Sequence, residues 1–300
     1  MKIAAVSMTY NDDYKLIEWK EHYLGFKDDV EWFIIVDNNS KKEYLDKVKK
    51  EFTNAIIIER STNGGCTAAY NDGIRYALEH TDCDSIAIIA NDMKLSENCL
   101  PVLHNYLFSD DSLGIASTAI LYKDTNTVDN FGHRVKYFKV KNEEIKKEFN
   151  EIKDDRKYTD LLTGGFTLAK REFYIKCGLQ DEKLFMYCDE LDTTLKANLN
   201  SYKLGVSSEV YTWHWHITAP ALSTNIIRSS YLIARNRIYL SKKYYSNLKT
   251  FTWILYLGLY KPVKFFIAGI IKRKRQYFAI AYDTFRGVIS GICNNMQNIK

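Results

Sequence analysis

The chain has 300 residues, 46% hydrophobic and 26% charged, enough to bury a core in one large domain or two modest ones, so disorder of the whole chain is excluded. With only three prolines, collagen-like and linker-rich classes are excluded as well. The net charge of +5 hides a split: residues 241–300 carry 11 Lys and Arg against one acid, Asp283, whereas residues 1–240 carry 31 against 36, so an acidic body of net −5 precedes a tail of net +10.

The apolar runs and amphipathic stretches of the first 120 residues alternate as in βαβ units, which predicts an α/β fold with a largely parallel sheet. Residues 2–8 read as a buried strand, 14–26 as a helix on the spacing of Leu16, Trp19 and Tyr23, and 32–36 as the second strand. A helix over 41–52, a strand over 55–59, a helix over 66–79 and a strand over 85–90 continue the pattern, with a further helix from about Ser96. Residues 140–160, dense in both charges, predict an exposed helix or an insert and mark a soft boundary. Beyond it the pattern predicts a strand, a glycine bend and a short helix within 161–178, then a helix with carboxylates in its first turn in 186–199. A strand through "YTWHWH" and a long helix from about Ser223 to Tyr245 follow.

Six cysteines lack CxxC spacing, and "MKIAAVSMTYNDD" turns polar too early for a secretory signal, so reduced thiols and a cytoplasmic location are expected. In the tail, "TFTWILYLGLY" at 250–260 is too short to cross a bilayer, which needs about 20 residues.

In an open parallel sheet ligands bind beyond the carboxyl ends of the strands. Those positions hold Thr9, Tyr10, Asn11 and Asp12 after the first strand, Asp37 to Ser40 after the second, Arg60 to Gly65 after the third, and Asn91, Asp92 and Met93 after the fourth. Asn, Asp, Ser and Gly also make good turns, but four such segments in a row favour a ligand site. "NGGCTAAYNDGI" at 63–74 opens a helix with Gly64 and Gly65, whose N–H groups suit a phosphate or sugar. It has neither the GxGxxG nor the GxxxxGK spacing, which disfavours an NAD or ATP fingerprint.

These motifs resemble glycosyltransferase family 2, the inverting enzymes of GT-A fold, and within it the rhamnosyltransferase-like branch, through most of residues 1–245. "VSMTYN" is similar to the opening strand and nucleotide loop, "IIVDNNS" to the second strand, whose Asp is here Asp37, and "NGGCTAAYNDGI" to the segment beneath the donor, with Asn63 and Asn71. "GGFTLAKREFYIKCGLQDEKLFMYCDELD" is similar to the block that runs from a glycine, here Gly165, to the catalytic acids, and "ARNRI" to the Arg-Asn pair after the last motif, here Arg235. The family's Asp-x-Asp motif falls on Ala90-Asn91-Asp92, in which only Asp92 keeps a carboxylate, and its Glu-Asp pair appears as Asp189-Glu190.

The resemblance implies a UDP- or dTDP-sugar donor, a saccharide acceptor on a surface glycan or a lipid carrier, and a divalent cation, Mg²⁺ or Mn²⁺. Asp92 is the natural oxygen ligand for that cation. His214 and His216, two apart on a strand and so on one face, are the imidazole candidates, with His214 favoured because only one need bind. The acceptor hydroxyl must lose a proton as it attacks, so a carboxylate base is required. Glu190 is the first candidate and Asp189 the second; their place at a helix start is also what the helix dipole alone would favour.

Residues 1–245 are thus expected to form the glycosyltransferase domain, its nucleotide half 1–120 and its acceptor half 121–245, and 246–300 a helical basic and aromatic extension. Cations interleaved with aromatics in that extension suit an anionic membrane surface, the alternative being a cap packed on the body or on a second subunit. Nucleic acid is not expected, since the body is acidic and no reading motif appears. Two rival functions stand beside sugar transfer: a nucleotidyltransferase, against which the missing basic phosphate loop argues, and a catalytically silent sugar-nucleotide-binding protein, which Ala90 favours.

Overall fold

In the computed structural model, which describes residues 1–136, 139–142, 146–152, 158–214 and 224–296, the apolar runs of the first half become parallel strands. They are β1 (Ile3–Thr9), β2 (Trp32–Asp37), β3 (Ile56–Glu59) and β4 (Ser85–Ile89), joined through α1 (Leu16–Leu24), α2 (Lys42–Glu51) and α3 (Gly65–His80). Val6 lies in register with Ile34 on one side and Ile88 on the other, giving the order β4-β1-β2-β3. Both faces of this sheet are covered, which is why the strands read as unbroken apolar runs. Ile3, Ala5, Phe33 and Ile35 pack on Trp19, Tyr44 and Phe52 of one helical layer. Ala4, Val6, Ile34 and Val36 face Ala69, Ile74 and Ala77 of α3 on the other.

The rest of this first unit, Met1–Gln180 with Thr193–His216, turns the sheet mixed. Its elements are β5 (Met93–Leu95), α4 (Cys99–Phe108), β6 (Leu113–Tyr122), β7 (Val128–Asn130), the hairpin β8 (His133–Lys136) and β9 (Lys139–Asn142), β10 (Tyr158–Thr159), β11 (Phe166–Lys170), α5 (Arg171–Cys177) and β12 (Lys203–His214). β11 runs antiparallel between β4 and β6, and β12 parallel to β6. The short β5, which the sequence pattern did not predict, pairs antiparallel with β12 and sets Met93 opposite His214. That register brings the end of the fourth strand to the end of the twelfth.

The helix expected within 140–160 is not found among the described residues. Val128 N–H donates to the Lys147 carbonyl and Lys146 N–H to the Val128 carbonyl, both at 2.8 Å, so this backbone is drawn onto β7 instead of bonding to itself. Only a one-turn 3₁₀ segment, Phe149–Glu151, remains, held by a capping box between Glu148 and Glu151.

Close approach of α3 to the sheet depends on Gly73. A Cβ there would stand 2.2 Å from Val6 Cγ1 and 3.2 Å from Val36 Cγ2, so even a methyl group must push the helix away. Gly73→Ala is expected to destabilise the chain by about 1–3 kcal/mol, as overpacking does, read from the midpoint of urea denaturation. An unchanged midpoint would show that the α3–β1 contact yields freely.

The second unit, Asp181–Asp192 with Ile217–Lys300, is helical. α6 (Asp189–Leu199) begins in it and ends in the first unit. α7 (Thr224–Tyr244), α8 (Asn247–Leu255), α9 (Lys261–Lys272) and α10 (Arg275–Ile292) make up the remainder. α10 lies along α7 where Gly287 and Gly291 permit it, since a Cβ would fall 2.3 Å from the Tyr231 carbonyl oxygen and 2.6 Å from that of Arg235. A wide π turn, Tyr256–Tyr260, links α8 to α9 without a break, and Pro262 sits in the first turn of α9, where its missing N–H is tolerated. The uncharged run ends at Tyr260 as expected, but the helix does not end with it. The helix runs for 26 residues, Asn247–Lys272, long and apolar enough to cross a membrane.

Candidate active site

The loops after β1 and β2 are tied together by short polar side chains. Asn38 N–H donates to the Thr9 carbonyl at 2.9 Å, Asn11 N–H to Ser40 Oγ at 3.0 Å, and Lys41 N–H to Asn11 Oδ1 at 2.8 Å. Asn11 sits at φ 53°, a left-handed conformation that Asn tolerates. Thr9 is buried with its hydroxyl against that of Tyr44, while Tyr10 is exposed. Asp37, at the end of β2, is only 2% exposed. Its Oδ2 accepts from Ser40 N–H at 3.0 Å, but Oδ1 is buried with no hydrogen-bond partner. A buried acceptor left unpaired is costly, and a ligand N–H would relieve the cost.

Asn38, a residue not singled out from the sequence, joins this loop to the start of α3. Its Oδ1 accepts from Gly64 N–H at 3.1 Å, and its Nδ2 donates to Asn63 Oδ1 at 3.0 Å and to the Gly65 carbonyl at 3.1 Å. Asn63 Oδ1 also accepts from Gly65 N–H at 2.9 Å. The N–H groups of Gly64 and Gly65, expected to face a phosphate, are thus occupied by side chains of the protein. Asn71, fully buried, brackets Gln180 by donating to its carbonyl at 2.9 Å and accepting from its N–H at 3.1 Å. Its observed work is to anchor the chain end of the first unit.

A charged cluster lies where β4 ends. Asp92 Oδ2 receives Lys15 Nζ at 2.8 Å, and Oδ1 lies 3.4 Å from His214 Nε2. Asn91, beside it, donates to Asp12 Oδ2 at 2.8 Å and accepts from Lys15 Nζ at 3.4 Å. Burial by itself would raise the Asp92 carboxyl, but the His214 hydrogen bond and the Lys15 and His214 charges outweigh it and hold Asp92 well below the usual carboxylate range. Gly165, at φ 104°, borders the cluster: a Cβ there would meet Met93 Sδ at 3.2 Å and His214 Cε1 at 3.9 Å. Asp12 stands among the strand-end positions read from the sequence, whereas Lys15 was missed as a site residue. The signal was position, because Lys15 ends the one-turn 3₁₀ segment Asp13–Lys15 directly after the polar strand end.

The residues present fit a divalent cation of the Mg²⁺ or Mn²⁺ kind. Asp92 offers a carboxylate and His214 an imidazole on one side of it, and such ions take their remaining ligands from phosphate and water. Among the described residues no group of three His, Cys, Asp or Glu side chains could hold the ion unaided. His216 lies outside the described residues.

In the second unit, Asp189 is buried at the start of α6 and hydrogen-bonded to the half-buried Glu190. Burial raises the Asp189 carboxyl above its ordinary range, and the negative charge of Asp192 adds to the rise. Arg235, fully buried on α7, donates to the Leu184 carbonyl at 2.9 Å, and Asn236 Nδ2 donates to the carbonyls of Leu184, Met186 and Tyr187 at 2.8–3.0 Å. The Arg-Asn pair therefore holds the loop that leads into α6.

By sequence, no curated protein matches the chain. Among solved structures it is similar to GalNAc-T7 with UDP, GalNAc and Mn²⁺ (TM-score 0.60, 13% identity, 98% of this chain and 57% of that one). It is also similar to the mannosyltransferase PcManGT from Pyrobaculum calidifontis with GDP-Man and Mn²⁺ (0.60, 13%, 97% and 87%) and to S. aureus TarS 1–349 (0.51, 14%, 100% and 93%). The chain spans little more than half the length of the first of these. At such identity the likeness concerns the fold, which is GT-A. The model of the family described as "Glycosyl transferase family 2" matches residues 25–178, just over half of the chain and wholly inside the first unit. The chain belongs to glycosyl transferase family 2.

Proposed function

We propose that the protein transfers a hexose or deoxyhexose from a UDP- or dTDP-sugar to a hydroxyl of a saccharide acceptor, with inversion at the anomeric carbon. The observation that carries this reading is the Asp92 cluster, a carboxylate and an imidazole set together at the strand ends by the β5–β12 register. A divalent cation held by Asp92 and His214 supplies positive charge where the departing diphosphate becomes negative. GalNAc-T7 and PcManGT, bound to nucleotides and Mn²⁺, support the same assignment. Lys15, now paired with Asp92, would be available to a phosphate oxygen if such an ion took that carboxylate.

Asp37 Oδ1 is the proposed acceptor for the base. Uracil and thymine each present one ring N–H to such an oxygen, as guanine does, whereas on that edge cytosine offers only its exocyclic amine. Thr9, Tyr10 and Asn11 flank the base, and Asn63 and Asn38 brace the loop beneath it. In the proposed step Glu190 takes the proton of the acceptor hydroxyl, and Asp189, hydrogen-bonded to it and raised by burial, positions Glu190. Arg235 fixes the loop before these acids. We place the protein in the cytoplasm at the membrane face, where a lipid-linked acceptor on the way to a surface glycan is presented.

Thermal melts with UDP, dTDP, GDP and CDP, with and without Mn²⁺, test the donor reading. UDP or dTDP with Mn²⁺ is expected to stabilise most, and Asp37→Ala to weaken that binding about 10- to 100-fold, the worth of a hydrogen bond to a charged group. Stabilisation by none of the four would sink the sugar-nucleotide reading. Diphosphate binding with neither transfer nor donor hydrolysis would favour the silent binding protein instead.

A further inference from the structure

Within the second unit, the continuous helix Asn247–Lys272 carries an exposed apolar stripe at helical spacing, from Leu248 and Phe251 through Leu259 and Val263 to Ile270 and Ile271. At 1.5 Å per residue the 26 residues span about 39 Å. Leu259 is 61% exposed and Ile271 75%, while Trp253 and Leu257 on the other side are buried in the unit. The α9–α10 turn is rigidly built: Phe278 packs on Gly269, where a Cβ would stand 2.9 Å from its ring, and meets Phe266 with ring centroids 5.1 Å apart. Arg273 makes the turn at φ 51°, and Lys272 Nζ bonds Tyr277 Oη at 3.1 Å. The stripe therefore ends on a fixed tip, Ile270 and Ile271, directly beside the cationic run Lys272-Arg273-Lys274-Arg275.

From Ser246 to Tyr282 the sequence has seven cations and no acid. A second copy laid on this face about a twofold axis would bring cation against cation. A spanning helix would have to carry Lys261 and Lys264 through hydrocarbon and strip Trp253 and Leu257 from their packing. One occupant meets both the apolar stripe and the uncompensated charge. We propose that this face docks in the plane of an anionic lipid bilayer, with the α9–α10 tip inserted among the acyl chains and the four-residue basic run on the headgroups. The inference deepens the membrane-side location proposed above and rests on that reading for its biological setting, but its test needs neither donor nor turnover.

The full chain is co-sedimented with phosphatidylglycerol and with phosphatidylcholine vesicles at low and high salt. Wild type is expected to bind the phosphatidylglycerol vesicles and to lose binding as salt rises. Ile270→Asp/Ile271→Asp is expected to weaken binding about tenfold or more, and Lys264→Gln/Lys274→Gln/Arg275→Gln to remove the preference for the anionic lipid. All these side chains are exposed, so melting temperature and diphosphate binding should hold. If the Asp pair melts early, Ile270→Ser/Ile271→Ser replaces it with the same expectation. Failure of wild type to bind phosphatidylglycerol vesicles, wild-type binding by both variants, or resistance of the membrane-bound chain to alkaline carbonate extraction would each overturn in-plane docking. So would a stable dimer that Ile270→Asp/Ile271→Asp dissociates. Diphosphate binding without vesicle binding would leave the donor reading standing while this one falls.

Discussion

Asp92→Ala is expected to lower turnover about 10²- to 10³-fold and to abolish any Mn²⁺-dependent gain in diphosphate affinity, while leaving metal-free diphosphate binding near the wild-type level. Asp92 is the carboxylate of the proposed cation site, and its two oxygens are already shared between Lys15 and His214. A cation arriving there must displace the Lys15 ammonium. Lys15→Met should therefore tighten Mn²⁺ binding in the absence of nucleotide, measured by titration calorimetry, yet slow transfer if Lys15 also serves the phosphate. Unchanged Mn²⁺ affinity in Lys15→Met would show that the pair does not compete with metal. The pH sign follows from the lowered Asp92 carboxyl. Its contribution to stability is present above the unfolded value near 3.9 and is lost as pH falls through the folded one, so wild type and Asp92→Ala should converge in stability in acid. Wild-type turnover in Asp92→Ala would overturn the site.

The parallel half of the sheet was legible because β1, β2 and β4 are buried on both faces and so read as apolar runs, β3 is an apolar run at the edge, and each strand end is polar. The mixed half was less so. β5 has three residues, Met93–Leu95, too few to show a period, yet its pairing with β12 is what joins Asp92 to His214. Lys15 falls in sequence at the start of the helix predicted over 14–26, and only the fold turns it toward Asp92. The Gly64–Gly65 segment shows the opposite failure: its glycines suggest a bare N–H nest, but Asn38 and Asn63, polar residues that sequence alone reads as turn formers, take up those donors. Within 140–160 charge density left an exposed helix and an insert open, and among the described residues Lys146 and Lys147 bond to β7 because solvated backbone at a sheet edge carries the same residues as an exposed helix. In the tail, Lys261 ends the uncharged run at Tyr260, yet the helix continues, because the π turn before it leads straight into α9 and Pro262 in its first turn needs no N–H partner there.

Glu190→Gln is expected to lower kcat about 10²- to 10⁴-fold with diphosphate binding retained, since the amide keeps the shape of the side chain but cannot take the acceptor proton. Asp189→Asn should behave differently. Asp189 is buried and its carboxyl is raised, and an amide keeps a hydrogen-bonding partner for Glu190 without the charge that burial disfavours. The stability linked to Asp189 is present below the unfolded carboxyl value and is lost as pH rises through the raised folded value. Asp189→Asn, which has no proton to lose, should therefore gain on wild type in melting temperature as pH is raised from acid through neutrality. Its kcat should fall less than that of Glu190→Gln, and the acidic limb of its pH–rate profile should shift, because Asp189 acts by tuning its neighbour. If Asp189→Asn instead abolishes transfer while Glu190→Gln retains it, the roles of the two acids are reversed, with the more buried carboxyl as the base and Glu190 as the group that positions it.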